Sequence, residues 1–256
     1  MAFVLAVAGK GGVGKTTICG MIIQHLAKEG KKPILAVDAD ANANLNEVLG
    51  VSVGPTLGQI REELELSGVP GKSPIPEGVS KEAYLKERLD KVVSKTEDFD
   101  LMVMGRPQGE GCYCFVNGLL QTQLQKLEAN YPYIVVDNEA GMEHISRGVL
   151  PHVDAMVLVS DCSRRGVQAA GRIAELVNNL GINPGSMGLI INRSPEETLN
   201  PGVKEEVEKY GLNLLGVLPH DELVFEYDGE GTPSVNVPDN SPIKTALRGI
   251  IDKLGI

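Results

Sequence analysis

The chain has 256 residues, 42% hydrophobic and 23% charged, ordinary globular values that exclude the disordered, collagen-like and low-complexity classes. Its 24 basic and 34 acidic residues leave a formal charge of −10, so the protein's own field opposes wrapping a phosphate backbone and disfavours non-specific nucleic-acid binding. Four cysteines, Cys19, Cys112, Cys114 and Cys162, are too few for a disulfide scaffold at this length and point to a reducing, cytoplasmic setting.

The first apolar run, Phe3–Ala8, has no basic residues before it and leads straight into glycines, as a buried strand does and a signal peptide does not. A helix-period segment follows over Thr16–Lys28, then a second apolar run over Pro33–Val37. Pro55 to Asp98 departs from this rhythm. Its helical segments, about Leu57–Leu66 and Lys81–Val93, are joined by a Pro/Gly-rich link and hold too few apolar residues for a core of their own. This stretch is read as a helical insertion in one domain spanning residues 1–256. The alternation resumes with strand-like runs at Leu101–Met104, Ile134–Asp137, Ala155–Ser160, Gly188–Asn192 and Leu214–Leu218. The last segment, Ser241–Ile256, sets Ile243, Leu247, Ile250 and Leu254 on one helical face, a terminal helix for the sheet to cover. No apolar stretch approaches the roughly 18 residues of a membrane helix, so a membrane partner is not expected.

The strand-like runs are apolar throughout rather than alternating, which requires cover on both faces. The fold class expected is α/β, a mostly parallel sheet with helices on both faces in three layers. In such a sheet the loops after the strands gather at one carboxyl edge, where ligands bind.

The first of these loops reads Gly9-Lys10-Gly11-Gly12-Val13-Gly14-Lys15-Thr16-Thr17 and satisfies G-x-x-x-x-G-K-[ST] between a strand and a helix. Glycines let backbone N–H groups curl around phosphates, Lys15 neutralises β- and γ-phosphate oxygens, and Thr16 supplies a hydroxyl for Mg²⁺. The extra Lys10 stands where the chain aims it across the mouth of the loop. The motif Lys10-Gly-Gly-Val-Gly-Lys-Thr-Thr17 resembles the deviant Walker A P-loop ATPases, the group containing the nitrogenase iron protein, MinD and ParA. The resemblance implies a homodimer that sandwiches ATP, with Lys10 reaching the nucleotide of the facing subunit.

After the second strand comes Asp38-Ala39-Asp40, two carboxylates that could position water or a metal ion near a γ-phosphate, or merely cap a turn. The resemblance assigns the water-orienting role of the family's switch I to Asp40, with Asp38 in support. It also aligns Asp137-Asn138-Glu139-Ala140-Gly141 with switch II, where Asp137 would hold Mg²⁺ and Gly141 would free the loop to respond to the γ-phosphate. Asn192 and the run Pro219-His220-Asp221 close two later strands at the same edge. In the family these positions flank adenine, the Asn by its amide and the loop after the proline by its backbone.

Cys112 and Cys114 form a C-x-C after the strand that ends at Met104. Two sulfurs do not complete a tetrahedral thiophilic site, which takes four ligands; a two-fold dimer would double them to four. Buried structural cysteines are the competing reading. The stretch Met104-Gly-Arg-Pro-Gln-Gly-Glu-Gly-Cys-Tyr-Cys114 resembles the accessory ATPases of the CooC type, which serve nickel carbon monoxide dehydrogenase. That resemblance implies ATP and ADP, Mg²⁺, and Ni²⁺ or Zn²⁺ held by both cysteines of each subunit, with the dehydrogenase as partner. Alternatives are a MinD/ParA-like switch that positions other proteins and an iron-protein-like electron donor. The donor would need a second, distant cysteine per subunit, and Gly141 to Val153 contains none. Cys19 and Cys162 are read as packing or loop residues.

Overall fold

The computed structural model describes residues 1–106, 114–140, 150, 152–195 and 198–256. Eight strands form one sheet in the order β3-β4-β2-β5-β1-β6-β7-β8. They are β1 Phe3–Gly9, β2 Ile34–Ala39, β3 Val93–Lys95, β4 Asp100–Val103, β5 Tyr133–Asn138, β6 Ala155–Asp161, β7 Ser186–Ser194 and β8 Leu214–Pro219. Every neighbouring pair is parallel except β3 with β4. The expected α/β architecture is therefore present, and all seven expected strand runs lie in the sheet.

Along β1, Leu5 and Val7 point to one face, where they join α1 Lys15–Lys28, α2 Leu45–Leu49 and α9 Pro242–Ile251. Val4, Ala6 and Ala8 point to the other. Val4 meets α3 Leu57–Leu66 and α5 Cys114–Leu127, while Ala6 and Ala8 meet α6 Arg164–Asn179 and α7 Pro201–Lys209. Two-sided cover is the physical reason for uninterrupted apolar strands. The C-terminal helix buries Ile243, Leu247, Ile250 and Ile251 against this sheet. No described helix is long and apolar enough to cross a membrane.

The insertion shares its core with the sheet: Leu57, Ile60 and Leu64 of α3 pack with Met102, Met104, Val116 and Leu120. One segment differs from its expected form. The helix expected over Lys81–Val93 is α4, Lys81–Asp90, and Val93–Lys95 instead forms the antiparallel edge strand β3. The β-branched pair Val92-Val93 fits a pleated surface, and Val92 is buried against the sheet, so tertiary pairing overrides the helical charge pattern. The edge stays short and carries Lys95, which donates to Asp100 Oδ2 at 2.5 Å and to the Tyr131 hydroxyl at 2.8 Å.

Candidate functional site

Strand β1 lies between β5 and β6, and the loop that leaves it is held by both flanks. Gly9 approaches β6 so closely that a Cβ there would lie 2.3 Å from the Val159 carbonyl oxygen. Gly14, with φ of 91°, ends the loop in the left-handed region, and a Cβ on it would lie 2.4 Å from Asn192 Nδ2. Behind the loop, α1 buries Ile18, Ile22, Ile23 and Leu26 almost completely. At about 1.5–3 kcal/mol each, these side chains anchor the helix firmly enough to impose the loop's shape.

The start of α1 is left open. Helices α3, α4, α6 and α9 are capped by the side chains of Thr56, Ser80, Ser163 and Ser241. In α1 the cap position is Gly14, which offers no side chain, and the first turn has no acid. Its N–H groups and the positive end of its dipole thus face a cleft of about 1090 Å³. Such an end is built for an anion.

Gly11, Gly12, Gly14, Lys15, Thr16 and Thr17 line one wall of that cleft. Lys15 is buried and donates to the Lys10 carbonyl at 3.2 Å. Val13 is buried beneath the loop as an apolar anchor. Lys10 itself is exposed and does not line the cleft.

The two aspartates after β2 have different surroundings. Asp40 lines the cleft, one oxygen accepting from Asn42 N at 2.8 Å. Asp38 is fully buried and accepts from the backbone N–H groups of Asp40 and Leu45 at 3.0 and 2.9 Å. The resemblance expects Asp38 to support Asp40 among the catalytic candidates. Both of its oxygens are bonded to the loop that presents Asp40, an arrangement compatible with the supporting place expected for it. Burial pushes Asp38 up to about 6 despite those bonds.

Asp137 sits beside Asp38 in the register of β5 on β2. Burial pushes it up to about 7, against the Thr16 hydroxyl bonded to it and with the Asp38 charge adding to the rise. Its Oδ1 is buried without a hydrogen-bond partner among the described residues. An orphaned carboxylate oxygen next to a threonine hydroxyl under a phosphate-sized cradle fits a hard divalent cation such as Mg²⁺. Cys19 lies under the same strands, wholly buried, and burial raises its thiol well above the usual range. It is a packing residue.

A second cavity of about 430 Å³ adjoins the loop and is lined by Thr17, Asn192, Pro219 and His220, with Asp221 at its base. Asn192 is buried, and its amide N–H donates to the Val13 carbonyl at 2.9 Å, bracing the loop. Its Oδ1 has no partner among the described residues. The Asp221 carboxylate accepts from Leu223 N and Ile243 N, tying α8, Glu222–Glu230, to the start of α9. Its side chain is structural.

Arg193 escaped the sequence reading. It holds φ at 56°, a strained value for a non-glycine residue, and its Nη1 donates to the Gly12 carbonyl at 3.1 Å. A lone cation next to Asn192 is the signal that could have flagged it. Asn42, Asn44 and Asn46 also line the large cleft, a row of alternate polar residues that composition hides.

Cys114 is the exposed first residue of α5 and is disulfide-bonded in this structure. Cys112 and Gly141 lie outside the described residues.

A family model described as the CobQ/CobB/MinD/ParA nucleotide binding domain matches residues 4–235. An ATP-binding protein of Methanocaldococcus jannaschii is 39% identical over 255 residues, covering 98% of each chain. The carbon monoxide dehydrogenase accessory protein CooC of Rhodospirillum rubrum is 30% identical, covering 89% of this chain and 87% of its own. Among solved structures, the septum site-determining protein MinD of Pyrococcus horikoshii, complexed with Mg-ADP, superposes with a TM-score of 0.70 at 23% identity. That match covers all of this chain and 98% of the other.

Proposed function

Because the chain belongs to the CobQ/CobB/MinD/ParA nucleotide-binding family, we propose that it is an ATP-hydrolysing switch whose nucleotide state controls a metal ion shared between two copies. The observation that carries this reading is the division of the loop's two lysines. Lys15 is buried in the cradle, and Lys10 is exposed outside it. An exposed cation that does not line its own cleft suits the nucleotide of a second copy. ATP between two such faces would join them and would be cleaved there.

Within one subunit, the loop amides and Lys15 bind the phosphates. Asp40, fixed by Asp38, orients the attacking water by accepting a hydrogen bond from it. Thr16 and Asp137 would hold Mg²⁺, which neutralises charge on the β- and γ-phosphates when bound. The buried acceptor Asn192 Oδ1 suits the 6-amino group of adenine, and the loop at Pro219 and His220 closes the base pocket. Asp137 to Ala140, leading to Gly141, would relax after hydrolysis as γ-phosphate contacts are lost.

The cargo reading is a metallochaperone of the CooC type that supplies nickel to carbon monoxide dehydrogenase. It is supported by the C-x-C of Cys112 and Cys114 and by the CooC relative at 30% identity. Cys114 is disulfide-bonded in this structure, so metal binding calls for the reduced form, in which dimer closure would bring two C-x-C pairs into one four-sulfur site for Ni²⁺ or Zn²⁺. By linkage, metal binding then changes ATP affinity.

The double variant Cys112→Ala/Cys114→Ala is expected to lose stoichiometric Ni²⁺ and Zn²⁺ binding and to keep nucleotide binding. Dialysis followed by metal and acid-labile sulfide analysis reads the outcome. Equal metal content in variant and wild type refutes the cysteine site and favours a switch that positions other proteins. Sulfide in the wild type points instead to an electron donor.

A further inference from the structure

From the way the two cavities meet, we infer that Asp228 holds the ribose hydroxyls of the bound nucleotide and so sets a preference for ribonucleotides. This deepens the nucleotide reading above and rests on it. The phosphate cleft and the base cavity share three lining residues, Thr17, Arg193 and Asp228. A nucleotide with its phosphates against Lys15 and Thr16 and its base beside Asn192 must place its sugar at that junction.

Among the three, Asp228 has the chemistry that a sugar needs. An ionised carboxylate only accepts hydrogen bonds, and the ribose 2′- and 3′-hydroxyls donate them, whereas phosphate oxygens repel it. The carboxylate is exposed and has no hydrogen bond or ion pair among the described residues, so it is available to a ligand. The fold supplies no reason for its charge. It lies in the last turn of α8 with Glu230 and no base, where the helix dipole disfavours an acid. Its acidic neighbours Glu222, Glu226 and Glu230 line neither cavity.

The test is a binding cycle by titration calorimetry with Mg²⁺, using ATP and 2′,3′-dideoxy-ATP on the wild type and on Asp228→Ala. The wild type should bind ATP about tenfold tighter than the dideoxy analogue, the scale of one or two hydrogen bonds to a charged acceptor. Asp228→Ala should bring ATP down to the dideoxy level and leave the analogue unchanged, with Asp228→Asn between the two. Equal wild-type affinity for both nucleotides, or an equal loss for both in Asp228→Ala, overturns the assignment while leaving the nucleotide reading intact. Failure of the wild type to bind either one overturns the nucleotide reading itself, and this inference with it.

Discussion

Replacing Lys10 by alanine is expected to slow ATP hydrolysis by about two orders of magnitude, while Mg-ADP binding to the single subunit changes less than about threefold. The size follows from removing one charge that stabilises the transferring phosphoryl group, a loss of about 3 kcal/mol in related cases. The asymmetry follows from the geometry. Lys10 does not line its own cleft, and only its backbone carbonyl serves the loop, by accepting from Lys15. Alanine keeps that carbonyl. Lys15→Ala in the same assay should weaken both measurements, because Lys15 stands inside the cradle. Steady-state hydrolysis and ADP titration on both variants check the pattern. Equal losses in the two measurements for Lys10→Ala would place that lysine in its own subunit's site.

The second large effect concerns Asp137. In the unfolded chain its carboxyl loses its proton near pH 4. In the folded protein burial holds the proton until about pH 7, and until about pH 6 for the adjacent Asp38. The folded state therefore binds more protons across this interval, and stability falls as pH rises from about 4 to 7. A divalent cation bound at Asp137 replaces the proton, so the Mg-nucleotide-dependent rise in Tm should be larger at pH 8 than at pH 6.

Asp137→Asn should stabilise the nucleotide-free protein at pH 8 by roughly 1–3 kcal/mol, since it removes a desolvated charge. It should also abolish the Mg-dependent rise. A shallower pH slope will remain from Asp38. Thermal melts from pH 5 to 8, with and without Mg-ADP, decide the matter. A flat profile in the wild type would contradict the placement of two titrating carboxylates under the loop.

Most of the architecture was legible because the strands carry their burial in their composition. Val4-Leu5-Ala6-Val7-Ala8 has no polar position for solvent to occupy, and covering both faces is the remaining solution. The phosphate loop was equally plain, since Gly9 and Gly14 each stand where a Cβ would strike a neighbouring group. Other features depend on contacts distant in sequence. The strand Val93–Lys95 exists because β4 offers an edge. Asp38 and Asp40 look alike in the sequence and differ only after folding, when the N–H of Leu45 turns back onto Asp38. Asn192 was expected to meet a base through its amide; the folded chain turns its Nδ2 onto the Val13 carbonyl and leaves its buried Oδ1 without a partner among the described residues. Arg193 reaches Gly12 across 181 positions of chain, a separation that periodicity cannot register.

Under the proposal, ATP state governs a metal site built from two copies. Its most direct test is the mass and metal content of the wild type with Ni²⁺, measured by light scattering and elemental analysis in ADP and then in ATP with hydrolysis blocked. Single chains are expected in ADP and, in ATP, a dimer holding one metal ion for its two C-x-C pairs. One tightly bound metal ion per single chain, or an unchanged mass in the two nucleotides, would contradict it.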